Sequence, residues 1–345
     1  MDVSTILILA QDGLINGAIY VLLAVALILV FGVTRVVLIP QGEFVSYGAL
    51  TLASLQLGVM PGTVWLLLIL AGIVAAMETV RLVSSGAGRE LPGALAITLV
   101  PPIAIAALAK MCASQHLALG WQVLLTMLIV IPLGPLVYRL AFRPLADASS
   151  LVLLIAAVAV HFVLVGLGLL FFGAEGVRTP PFSDAQLTFG TLTVSGQSLW
   201  VCATSFTFIA LLAWFFSRTL YGKALRAVAF NRNGARLVGI SPQLAGTFSF
   251  ALAAAIGCLS GVLIGPITTV YYDSGFLIGL KGFVGAIVGG MASYPLAAFG
   301  SLMVGFLESY SSFWLSGYKD VMVFAAIIPI LLWRSLSSVH YEEEE

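Results

Sequence analysis

The sequence predicts an all-α fold: a polytopic transmembrane helical bundle with broken or re-entrant short helices and about 9–11 membrane segments. Three observations predict it. Of the 345 residues 61% are hydrophobic and only 9% charged, more hydrocarbon than a soluble core of this size can hide. Apolar runs near the length that crosses a bilayer recur from end to end. Between Tyr221 and Ile240 a basic stretch with no acid, YGKALRAVAFNRNGARLVGI, interrupts them and cannot lie in lipid.

In chain order the spans are expected near 6–33, 43–58, 62–82, 91–111, 120–140, 150–172, 199–217, 242–266, 277–290, 295–313 and 319–335. The first run lacks a basic leader and reads as a retained span rather than a cleaved signal. The second and ninth are too short for ordinary spans. Gly42 and Gly48 in one, and Gly279, Gly282, Gly285, Gly289 and Gly290 ahead of Pro295 in the other, predict broken or re-entrant helices. Gly13 with Gly17, and Ala253, Gly257, Gly261 and Gly265, put small residues on single helix faces where backbones approach. The chain forms one transmembrane domain, 1–345, in which 62–118 is an extra helix pair with Glu78, Arg81, Arg89 and Glu90 at its turn.

Charge fixes orientation. With 221–240 cytoplasmic, alternation puts 11 of the 15 Lys and Arg residues inside and 4 outside, agreeing with the positive-inside rule. The N-terminus is then outside and the C-terminus inside. Residues 173–198 form the long external loop, where Pro180-Pro181 and the alternation over Thr188–Val194 around Gly190 predict a turn and a small hairpin; it is a docking surface or a connector. Glu342–Glu345 make an acidic tail, either solvating or appended. Cys112, Cys202 and Cys258 lack metal or redox spacing and read as small buried hydrophobes.

Polar groups within spans are costly and mark candidates. Gln41 and Glu43 enter the short second helix, where the carboxylate either caps helix N–H groups or lines a path. His161, with no acid nearby in sequence, reads as a hydrogen-bonded packing residue rather than a proton relay. Glu308 is expected to hydrogen-bond between helices, and Lys281 to pair with Asp273 or snorkel outward. No P-loop, His-Glu-x-x-His or Gly-x-Ser-x-Gly motif occurs, so no catalytic or metal-binding residue is assigned.

The stretch NGAIYVLLAVALILVFGVTRVV with its following QGEF, Tyr138-Arg139 through Phe142-Arg143-Pro144-Leu145, the 221–240 loop, LKGFVGAIVGGMASYPLAA and Tyr318-Lys319-Asp320 resemble permease subunits of branched-chain amino acid ABC importers. The resemblance covers about 12–58 and 120–335. It departs at Leu38-Ile39-Pro40-Gln41, where the family usually has Asn-Phe-Ala-His, and at Phe230, where it usually has an acid.

The resemblance implies a bacterial inner-membrane, multi-pass subunit with a periplasmic N-terminus and a cytoplasmic C-terminus. Its partners are a second related permease or a second copy of itself, two cytoplasmic ATPases and a periplasmic solute-binding protein, with no nucleic acid. ATP is used by the ATPases, and this chain has no cofactor or enzymatic activity of its own. The 221–240 loop looks like the coupling helix: Leu225, Val228 and Phe230 fill an ATPase groove, while Lys223, Arg226, Asn231, Arg232 and Arg236 surround it. Gln41, Glu43, Lys281 and Glu308 are the translocation-path candidates. The solute is a branched-chain amino acid or a related urea, short amide or small aromatic acid. The alternatives are a stand-alone ion-coupled secondary transporter and, less favoured, an intramembrane enzyme centred on His161.

Overall fold

The computed structural model describes residues 2–113, 117–189 and 192–337 and is 79% helical. The Glu342–Glu345 tail and Gly190 lie outside the described residues. Helix α1 (Val3–Thr34) ends where Arg35 turns left-handed at φ 62° and returns its N–H to Phe31 O. The chain doubles back through Val36–Ile39, and Pro40, with φ already near helical, precedes α2 (Gln41–Gln56). The extra pair is α3 (Gly62–Ser84) and α4 (Leu91–Ala113), which pack on each other. Helices α5 (Leu119–Val130) and α6 (Leu133–Val137) run on through a single π turn at Tyr138–Phe142.

After α7 (Ser150–Phe172), strands β1 (Gln186–Phe189) and β2 (Leu192–Ser195) form an antiparallel hairpin with Gln186 opposite Ser195. Helix α8 (Gly196–Arg218) follows, then two short helices, α9 (Leu220–Phe230) and α10 (Arg232–Leu237). Asn231 separates them: it leaves the helical conformation and its Oδ1 accepts from Gly234 N at 2.8 Å, capping α10. The last helices are α11 (Pro242–Ile264), α12 (Ser274–Val288), α13 (Tyr294–Trp314), α14 (Lys319–Ala325) and α15 (Ile327–Ser337). The span expected at 319–335 is thus divided. Pro329 cannot donate to the carbonyl of Ala325, and the helix breaks there.

Among the described residues seven helices are long and apolar enough to span a membrane. Within them α1 and α11 are central, 78% buried over their most apolar windows, whereas α4 and α8 are 17% buried and face outward. The short helices cross at their first turns. A Cβ on Gly42 would lie 2.1 Å from Gly275 O, and one on Gly275 2.0 Å from Gly42 O, so only glycine permits this approach. Ser46 Oγ accepts from Gly275 N at 2.8 Å and pins the crossing. At 16 residues α2 is ~24 Å long, short of a full span, because it starts within the bundle.

Candidate functional site

The bundle has two ends with different chemistry. One carries the start of α1 and the 173–198 segment and holds a cavity of about 1120 Å³. The segment is fastened over it: Val177 and Val270 exchange backbone hydrogen bonds of 2.9 Å, Arg178 Nε donates to Pro266 O at 3.0 Å, and Gln197 Nε2 donates to Leu263 O at 3.0 Å. The ionisable groups with fixed charge that line the cavity are Arg178, Lys281 and Lys319 against Asp12, Glu308 and Asp320.

Lys281 and Glu308 sit together in the cavity wall. Lys281 Nζ lies 2.5 Å from Glu308 Oε1 and 2.9 Å from Asp320 Oδ1, and Tyr20 Oη donates to Glu308 Oε2. Helices α1, α12, α13 and α14 therefore meet through one polar network. Glu308 does hydrogen-bond between helices, as its sequence context implied. Lys281 does not pair with Asp273 or snorkel: α12 begins at Ser274, which puts Lys281 two turns inside it, ~12 Å along the axis from Asp273. Tyr20 and Asp320 were not singled out as candidates. Asp320 stands in a recognised tripeptide, but nothing local links it to a lysine 39 residues away.

Gln41 and Glu43 lie elsewhere. Both are 1% exposed and neither lines the cavity. Gln41 Nε2 donates to Ala253 O at 3.0 Å, tying α2 to α11. Glu43 lies in the first turn of α2, and its Oε1 is 2.7 Å from His161 Nδ1. The His161 ring also packs on Phe276, centroids 4.4 Å apart, so α2, α7 and α12 meet at this pair.

The opposite end carries α9 and α10. Here the sequence expectation divides. Lys223, Arg226, Asn231 and Arg236 are exposed, and Phe230 is 93% exposed. Leu225 and Val228, by contrast, are turned inward onto Leu29 and Val33 of α1 and Ala245 of α11, so they hold the element to its own bundle and are not free to fill a partner's groove. Apolar residues three apart on one helical face explain this. The exposed apolar groups are instead Leu220, Tyr221, Phe230, Leu237 and Val238. Arg232 is also engaged: its Nη1 donates to Ala146 O at 3.0 Å, joining α10 to the loop after the π turn. Beside that loop, Glu78 of α3 pairs with Arg139 and lies 3.8 Å from Arg143, so the extra helix pair is linked to this end as well.

Comparison with known proteins places this architecture. The family model described as "Branched-chain amino acid transport system / permease component" matches residues 93–331. Over 337 residues the chain is 28% identical to LivH of Escherichia coli K12, the "High-affinity branched-chain amino acid transport system permease protein", covering 93% of this chain and 91% of the relative. It is 33% identical over 205 residues to LivH of Salmonella typhimurium, covering 56% and 65%. It is 29% identical over 208 residues to BraD of Pseudomonas aeruginosa, covering 58% and 68%. No solved structure matches the chain. The chain belongs to the family of permease components of branched-chain amino acid transport systems.

Proposed function

We propose that this chain is the membrane-spanning permease of an ATP-binding cassette importer. It receives a branched-chain amino acid or a close chemical relative from a periplasmic binding protein and passes it to the cytoplasm, powered by separate ATPases. One observation carries the reading. Helices α1 and α11 bear the exposed basic element at one end, through Leu29, Val33 and Ala245, and wall the charged cavity at the other, through Tyr20 and Ile264. A push on α9 and α10 therefore acts on two of the helices that line the cavity.

In this reading the basic end is cytoplasmic and the hairpin end periplasmic, following the distribution of Lys and Arg. Phe230 is an exposed aromatic on an element that also exposes Lys223, Arg226 and Arg236, a composition suited to an acidic-rimmed apolar groove on an ATPase. The test is co-expression with candidate ATPase and second permease subunits, followed by affinity capture of this chain. Capture of an intact complex is expected. A lone chain that transports solute in liposomes under an ion gradient would sink the reading in favour of a secondary transporter.

A further inference from the structure

We propose that Lys281 and Asp320 form a charge-exchange site that takes both ends of a zwitterionic α-amino acid at the cavity wall; this rests on the import reading above. The three groups are not equivalent. Glu308 is 7% exposed and doubly held, by Tyr20 Oη on one oxygen and Lys281 Nζ on the other. Asp320 Oδ1 approaches the same Lys281 at 2.9 Å but completes no hydrogen bond there although it is itself shielded from solvent, while the Asp320 side chain as a whole is 37% exposed on α14, a helix of 7 residues. Lys281 is therefore anchored to a fixed carboxylate on one side and faces a releasable one on the other.

Charge bookkeeping favours a zwitterion. Fully ionised, the contact holds one cation against two carboxylates, so it has room for a positive group beside it. A solute carboxylate that displaces Asp320 from Lys281 leaves the Asp320 carboxylate free to receive the solute's ammonium. One ion pair becomes two, and neither fixed charge is stranded. A solute with only a carboxylate would leave Asp320 unpaired. A solute with only an ammonium group would have to share Asp320 with Lys281. Losing a pairing in a confined polar site discriminates far more strongly than losing a methylene does. The cavity as a whole carries three basic and three acidic side chains: the excess of Arg178 and Lys319 over Asp12 offsets the excess of Glu308 and Asp320 over Lys281 at the contact. A wall of one sign would instead concentrate anions or cations.

The test is ATP-driven uptake of radiolabelled L-leucine by proteoliposomes holding the whole importer with its binding protein, comparing wild type, Asp320→Asn and Asp320→Glu. Asp320→Asn keeps the Lys281–Glu308 pair, so the fold should persist, and complex assembly with binding-protein-stimulated ATP hydrolysis reports on it. The expected result is a fall in uptake of at least about ten-fold for Asp320→Asn with hydrolysis within about two-fold, and recovery in Asp320→Glu. Uptake by Asp320→Asn within two-fold of wild type overturns the charge-exchange site alone. A wild-type complex that hydrolyses ATP but carries no L-leucine overturns both the site and the branched-chain reading, so the two failures differ in the wild-type lane.

Discussion

Glu43 and His161, 118 residues apart in sequence, meet at 2.7 Å in the interior where α2, α7 and α12 come together. Such a pair is costly to split because the survivor keeps its desolvation penalty. His161→Ala leaves the buried Glu43 carboxyl without its hydrogen-bond partner and should lower stability by about 1–3 kcal/mol, read as a fall in the thermal midpoint of the purified chain in detergent. Glu43→Gln keeps an acceptor for the imidazole and should lose less. Equal stability of His161→Ala and wild type would show that the contact does not hold the helices together.

The Gly42–Gly275 crossing predicts a second, steric effect. With carbonyl oxygens 2.1 and 2.0 Å from the added Cβ positions, Gly42→Val or Gly275→Val must force α2 and α12 apart and should prevent accumulation of folded protein in the membrane. Gly72→Ala, where nothing lies within 4 Å, is the matched control and should accumulate normally.

The basic end separates a folding face from a contact face. Leu225→Asp places a charge in the cluster with Leu29 and Val33 and should destabilise the chain. Phe230→Asp and Arg226→Glu alter only exposed groups and should leave the thermal midpoint unchanged. In the reconstituted importer both should reduce uptake roughly ten-fold or more while the complex remains able to hydrolyse ATP. Full transport by both variants would remove α9 from the coupling surface.

Glu78 gives a further test, on the extra helix pair. It joins α3 to Arg139 and approaches Arg143, and Thr98 of α4 donates to it at 3.3 Å. Glu78→Ala takes the carboxylate from a partly buried Arg139, which keeps its hydrogen bond to Thr98 Oγ1 at 3.2 Å, and should cost about 1–3 kcal/mol in the same melting assay.

Much of the fold was legible in the sequence because bilayer-spanning helices are dictated locally. Apolar length placed α1, α3, α7 and α11, and glycine with proline marked α2 and α12 as short. The polar network was not legible. Lys281 to Glu308, Asp320 and Tyr20, and Glu43 to His161, are decided by how helices pack, which no local window contains. The inward turn of Leu225 and Val228 was accessible in principle: their spacing of three puts them on one face of α9, with Phe230 on the other side. Read as a helical wheel rather than as a basic stretch, the segment would have assigned them to the bundle.

The most direct test of the central claim is solute uptake into proteoliposomes containing this chain, its partner permease and the ATPases, with the loaded binding protein supplied on the opposite side. Uptake of L-leucine that requires ATP and the binding protein, and is indifferent to collapse of proton and sodium gradients, is the predicted result. Uptake driven by an ion gradient through this chain without ATP would contradict it.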